Sequence, residues 1–301
     1  FISLLLATSV TAQCNISSSS ATNTTTCLGT NGTIILNGLS ASTSYTFHYS
    51  KNGIAQTNAT VTTTAAGVLT KTGLGAGTYS NVYVSKTGCT SSTVGSFTIS
   101  DPAAPVITAS NNGPICQTAT LNLTASTVAG ATYSWTGPSS YTSTSQNPSR
   151  TNATTSMAGT YTVTAKLNNC TSTAVTTTVT VNATPATPTT TSNSPVCAGT
   201  NINLTASTTT AGVSYSWSGP NSYTSVSQNP TITSVTTAAA GTYSVIASLN
   251  GCNSATATRA VVVNALPAIS STSTVSPTTC SGTNGSFSLN GLTASTAYTL
   301  N

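Results

Sequence analysis

Charge is what this sequence lacks most. Its 301 residues include six Lys or Arg, one His and a single acidic side chain, Asp101; glutamate does not occur. General acid–base catalysis, metal-assisted hydrolysis and nucleophilic triads each need several such groups brought together. The composition therefore argues against an enzyme, names no catalytic residue and implies no cofactor. One carboxylate cannot build a calcium site, so linkers stiffened by calcium are excluded. Zinc fits no better, because His48 stands alone and no CxxC pair occurs. A formal net charge of +5 spread over this length makes no patch able to hold a phosphate backbone, so nucleic acid is not an expected partner. Isopeptide cross-links need a buried acid beside Lys and Asn, and Asp101 lies in a proline-bearing junction.

Helical periodicity is missing too, beyond the first dozen residues. What is present instead is alternation of apolar and polar residues, as in Thr160-Tyr161-Thr162-Val163-Thr164-Ala165, and a period of two marks strands. Apolar residues make up 37% of a chain otherwise dominated by Thr, Ser and Asn, which separates it from disordered low-complexity sequences. "FISLLLATSVTAQ" opens the chain as an apolar run ending in a small-residue cleavage site, so residues 1–12 read as a secretory signal, N-terminally incomplete, with Gln13 the first mature residue. The run is too short to span a bilayer. Cys14 lacks the small residue that precedes lipidated cysteines, so export without an anchor is expected.

Internal repeats organise the rest. Trp135, Tyr141, Gln146-Asn147-Pro148, Gly159, Tyr161 and Cys170 recur 82 residues later as Trp217, Tyr223, Gln228-Asn229-Pro230, Gly241, Tyr243 and Cys252. Cys116 and Cys197 are only 81 apart, so one residue is inserted between "LNLTAS" and "YSW". A strand would change face there, so the site is a loop. A second repeat type flanks this pair: "CLGTNGTIILNGLSASTSYT" at Cys27 to Thr46 returns as "CSGTNGSFSLNGLTASTAYT" at Cys280 to Thr299. Junctions rich in proline fall near residues 102, 185 and 266. The expected modules are 13–103 (type A), 104–184 and 185–266 (two copies of type B), and 267–301, the truncated start of a second type A, with the chain continuing past Asn301.

Within Pro105 to Asn182 the runs "APVITAS", "TATLNLTAS", "ATYSWTG", "SQNPSRTNA", "GTYTVTAKL" and "STAVTTTVTV" read as strands, enough for a two-sheet sandwich. "LNNC" and "LNGC" read as tight hairpin turns, since Asn and Gly tolerate positive φ. Eight cysteines in an exported chain point to disulfides, and spacing suggests Cys27–Cys89, Cys116–Cys170 and Cys197–Cys252, leaving Cys14 and Cys280 unassigned. Each bond would tie one end of a sandwich. Trp135 and Trp217 are candidate core tryptophans; were they exposed, they could stack on sugars, with Tyr141 and Tyr223 in the following loops as further contacts. The word "AGTY" at Ala76, Ala158 and Ala240 marks Tyr79, Tyr161 and Tyr243 as tyrosine corners, whose hydroxyls return to nearby backbone. Sequons at Asn122 and Asn203 fall within predicted strands.

"CQTATLNLTAS…YSWTG…AGTYTVTAKLNNC" resembles the immunoglobulin-like and PKD-like repeats of large secreted proteins of gliding Bacteroidetes, over roughly residues 105–265. The resemblance implies an all-β tandem array of small immunoglobulin-like sandwiches in a cell-surface adhesin or a protein exported by the type IX route. Two functions follow: a non-catalytic spacer and adhesive array, or glycan-binding accessory modules of a polysaccharide-degrading enzyme whose catalytic domain lies elsewhere. Surface glycans or other extracellular matrix components are the expected partners.

Overall fold

In a computed structural model of the protein, residues 14–292 are described, so the expected signal segment 1–12 and the last residues of the second type A repeat lie outside the described residues. The described chain is built of strands and two short 3-10 turns, Thr155–Met157 and Thr237–Ala239. No helix among the described residues is long and apolar enough to cross a membrane. Two compact units emerge: Phe1–Gly113 with Thr120–Thr151 and Ser156–Thr180, and Pro114–Ala119 with Asn152–Thr155 and Val181–Asn301. Their border runs through the first type B copy and does not follow the proline junctions.

The first unit begins with two facing sheets. Ser18–Thr22, Gly32–Asn37 and Leu69–Leu74 form one; Ser44–Lys51 and Gly77–Lys86 are the centre of the other, with Ile54–Ala55, Ala59–Thr62, Cys89–Thr90 and Phe97–Ile99 on their flanks. Alternation decides what goes inside. In Gly32–Asn37 every second residue is buried, and Ile34 and Leu36 pack in one cluster with Tyr45, Phe47, Leu69, Tyr79, Val82 and Val84. In the type B copy of this unit, Leu121–Ala125 pairs with Ala109–Asn111 and Ser149–Arg150, while Thr132–Gly137 and Gly159–Leu167 pair with each other in a second sheet. Leu121, Leu123, Trp135, Tyr161 and Val163 are buried.

The second unit repeats that plan. Thr189–Ser192, Ile202–Ser207 and Thr231–Ile232 form one sheet; Tyr223–Ser225, Ser214–Gly219, Gly241–Leu249 and Cys252–Asn253 form the other, with Ala257–Val261 also on Gly241–Leu249. Ile202, Leu204 and Ala206 meet Trp217, Tyr243, Val245 and Val261 between them. The extra residue of this copy is absorbed between Ser207 and Ser214, outside both strands. In addition, Ile115–Cys116 runs parallel to Val181–Asn182, and Val196–Cys197 parallel to Val263–Asn264.

Two readings of strands change. "APVITAS" contributes only Ala109 and Ser110, to the strand Ala109–Asn111, and "SQNPSRTNA" only Ser149–Arg150. The word Gln-Asn-Pro is a clamp instead of a strand. Gln146 accepts a hydrogen bond from Trp135 Nε1 on its carbonyl at 3.1 Å and donates Nε2 to the Ala125 carbonyl at 2.9 Å. Asn147 Oδ1 accepts from Ala125 N at 3.1 Å, and the Pro148 carbonyl accepts from Leu123 N at 2.9 Å. Gln228, Asn229 and Pro230 reproduce all four contacts around Trp217 and Ala206. The buried indole thus finds its acceptor, and a strand of the opposite sheet is held beside it.

Gly137 and Gly219 close the tryptophan strands where the rings of Tyr161 and Tyr243 pack against them. A Cβ at either glycine would clash with the Cδ1–Cε1 edge of that ring. Gly137→Ala or Gly219→Ala is expected to destabilise its sandwich by roughly 1–3 kcal/mol, the usual cost of overpacking. Gly95, with nothing within 4 Å of its added Cβ, is the control. Thermal unfolding followed by circular dichroism should show a lowered midpoint for the first two variants and an unchanged one for Gly95→Ala.

Candidate functional site

The cysteines link repeat to repeat covalently, and they do so differently from what spacing suggests. Cys14 bonds Cys89, Cys27 bonds Cys170, and Cys116 bonds Cys252; Cys197 and Cys280 are free and exposed. The expected pairs Cys27–Cys89, Cys116–Cys170 and Cys197–Cys252 are therefore corrected. Geometry supplies the reason. Cα atoms of Cys27 and Cys170 stand 4.9 Å apart and those of Cys116 and Cys252 5.6 Å, both within the span a disulfide can bridge.

Each hairpin cysteine follows a two-residue turn. In Leu167-Asn168-Asn169-Cys170 the two asparagines have φ of 48° and 64°; in Leu249-Asn250-Gly251-Cys252, Asn250 and Gly251 have φ of 49° and 79°. Positive φ at both central positions is the type I′ geometry that suits a tight hairpin. The turn thereby offers its outward carbonyls to the segment that carries the other cysteine. Cys27 N donates to the Asn168 carbonyl at 2.9 Å, and Asn169 Nδ2 to the Cys27 carbonyl at 3.4 Å. At the second bond Asn182 Nδ2 donates to the Asn250 carbonyl at 3.0 Å, while Asn182's own carbonyl accepts from Gln117 N at 2.8 Å.

Asp101 braces the Cys27 segment. Its carboxylate accepts from Thr24 Oγ1 at 2.7 Å and from Leu28 N at 3.1 Å, on either side of the cysteine. The Thr24 hydroxyl foremost, and then the Leu28 amide, hold the acid below its ordinary value of 3.8. The depressed folded-state value means that stability is fully present above pH 3.8 and is lost as pH falls through the folded value.

The aromatic candidates are spread over interior and surface. Trp135 and Trp217 are 0% and 1% exposed, so neither can stack on a sugar. Tyr161 and Tyr243 are equally buried and donate their hydroxyls to the carbonyls of Met157 and Ala239, each at 3.0 Å; Tyr79 donates to Gly75 at 2.7 Å. Burial, with Tyr49 beside it, raises the Tyr79 phenol, and burial next to Tyr223 does the same for Tyr243. Tyr141 and Tyr223 are half-buried, edge-on to Tyr161 and Tyr243 at 5.7 and 5.6 Å. The Arg150 guanidinium covers the face of Tyr141 at 4.5 Å, where a sugar would have to stack. His48 stacks on Tyr83 at 4.3 Å and shares a hydrogen bond with Ser85 Oγ at 2.8 Å. Among the described residues no three His, Cys, Asp or Glu side chains converge as metal ligands. What sequence reasoning missed was the partner of each cysteine and the clamp made by Gln-Asn-Pro; the recurrence of that word with Trp was the available signal.

These sheets, with buried tryptophans and tyrosines that return to the backbone, are tandem immunoglobulin-like β-sandwich repeats. Residues 185–267 match the family described as Ig-like domain, CHU_C associated. No curated protein sequence matches the chain. Among solved structures, it is similar to the three N-terminal domains of the bacteriophage RB49 highly immunogenic outer capsid protein, at 14% identity over 83% of this chain and 98% of that one, with a TM-score of 0.37. It is also similar to extracellular domains 3-5 of Drosophila OTK, at 11% identity over 84% and 97% of the two chains and a TM-score of 0.36. Murine CEACAM1b matches at 14% identity over 54% of this chain and all of its own, with a TM-score of 0.34.

Two measurements follow. Acid titration of folding should show a single side-chain carboxylate at work: stability of the sandwich that carries Asp101 declines below about pH 4, and Asp101→Asn removes that decline. Under tension, the shortest covalent route from Cys14 to Cys252 crosses to Cys89, follows the backbone to Cys116 and crosses again. Pulled to full extension, the chain between those points should lengthen roughly eight-fold when a reductant is added, given about 3.5 Å per extended residue.

Proposed function

We propose that this chain is a non-catalytic extracellular repeat region, a structural spacer of a cell-surface or secreted protein whose modules also meet surfaces weakly and at many points. In this reading residues 13–103, 104–184 and 185–266 are successive modules, and 267–301 opens another. The observation that carries it is the pair of disulfides, Cys27–Cys170 and Cys116–Cys252, each joining the segment that opens one repeat to a hairpin of the next. Covalent ties of this kind suit a part that transmits force, and they persist only in an oxidising compartment. Near-absence of ionisable side chains speaks for the same role. The likeness to repeats of gliding Bacteroidetes supports display at the cell surface and export by the type IX route. Weak contacts repeated along an array would add up through effective concentration.

Glycan binding, the other reading, drew its support from exposed aromatics. With Trp135 and Trp217 buried and one face of Tyr141 covered, that reading loses its main support and keeps only the half-buried Tyr223. Replacement separates spacer from binder: in the complete protein, exchanging residues 104–266 for unrelated sandwiches of equal length should preserve display of the parts beyond them and lower only the weak adhesion, whereas deleting them should reduce display too. Loss of display on exchange would sink the spacer reading.

A further inference from the structure

The three disulfides obey one rule. Each joins a hairpin cysteine (Cys89, Cys170 or Cys252) to a cysteine that lies before a sandwich strand (Cys14, Cys27 or Cys116), and never two of one kind. Cys89 sits like the others, opposite Lys86 across a two-residue turn, as Cys170 does opposite Leu167 and Cys252 opposite Leu249. The opening cysteine of a repeat reaches forward to the hairpin of the following one, and Cys14 supplies the forward link to the first hairpin. Cys197 is the counterpart of Cys116, and its setting is the same. Val196–Cys197 lies parallel to Val263–Asn264 as Ile115–Cys116 lies parallel to Val181–Asn182, and Ala198 N bonds the Asn264 carbonyl at 2.8 Å as Gln117 N bonds that of Asn182.

The environments after the two copies differ in one respect. Following the first, Pro185 and Pro188 are buried and Asn182 is spent on the hairpin carbonyl of Asn250. Following the second, Asn264 is exposed, and so are Leu266 at 61% and Ile269 at 54%. Asn264 thus holds the place from which Asn182 bonds the hairpin of the following repeat.

We infer that Cys197 is the open forward link of the array, and that it forms a disulfide with the hairpin cysteine of the type A repeat begun at Ser271–Val275. Cys280 is excluded as that partner by the rule, since it is the counterpart of Cys27, itself a forward cysteine. Cys89 follows Cys27 by 62 residues, and the same step from Cys280 leads past Asn301, where the partner is placed. Formation of the bond removes two protons and two electrons from the two thiols. An oxidised dithiol oxidoreductase of the export compartment takes up both, leaving as the reduced dithiol, by thiol–disulfide exchange.

The test uses the complete protein as secreted, alkylated before lysis, digested without reduction and mapped by mass spectrometry. A peptide containing Cys197 should be found linked to one from beyond Asn301 whose cysteine follows a two-residue turn between alternating runs. Cys197→Ser should then release one further alkylatable thiol per chain, in that downstream peptide, with the other three bonds unchanged. Cys197 recovered as a free alkylated thiol, linked to Cys280, or linked to Cys197 of a second chain would each overturn the proposal.

Discussion

A disulfide that reaches from one repeat into the next is the constraint on which the rest of this structure depends. The modules are small: each type B copy buries one tryptophan, one or two tyrosines and a handful of aliphatic residues, the type A module buries Tyr45, Phe47 and Tyr79 without a tryptophan, and small cores leave a narrow stability margin. Cross-linking loops with ends 143 and 136 residues apart is worth about 4–5 kcal/mol apiece in the chain-entropy model. Those two loops overlap between Cys116 and Cys170, so their contributions do not simply add. The bonds also explain why the chain's compact units ignore the proline junctions: Pro114–Ala119 is drawn to Cys252 and its surroundings.

Much of the fold could be read from the residues because its signals are local. Alternation in Thr132–Gly137 and Gly159–Leu167 marks strands without reference to anything distant, and Asn-Asn or Asn-Gly before a cysteine marks a tight turn by backbone sterics alone. The disulfides were not legible for a reason built into repetition. A bond from Cys116 to Cys170 and a bond from Cys116 to Cys252 have the same periodicity, because shifting one partner by a repeat changes no spacing within either copy. Translational symmetry hides the choice, and what breaks it is the bond of Cys14 to the first hairpin cysteine, Cys89, which leaves Cys27 to reach the next one. Gln-Asn-Pro misled in another way: its neighbours look like strand, but its side chains serve the backbone of the opposite sheet.

The scarcity of charge acquires a physical sense from the same features. Nearly every polar group that the fold buries is paired within the sandwiches: the indoles with Gln carbonyls, the tyrosine hydroxyls with carbonyls four residues back, and Ser172 and Ser254 with strand amides at 3.0 Å. No buried side-chain nitrogen or oxygen lacks a partner among the described residues. The chemistry available to the chain is thus consumed in holding its shape, and Asp101, its one acid, is consumed in fixing the segment around Cys27.

One consequence concerns damage. The stretches between repeats, such as Asp101 to Pro105 and Asn182 to Pro188, are where a protease would cut a chain of sandwiches. Each of them lies inside a closed covalent ring, the first spanned by Cys27–Cys170 and the second by Cys116–Cys252. A single cut there opens a ring without parting the molecule, so what lies on one side stays attached to what lies on the other.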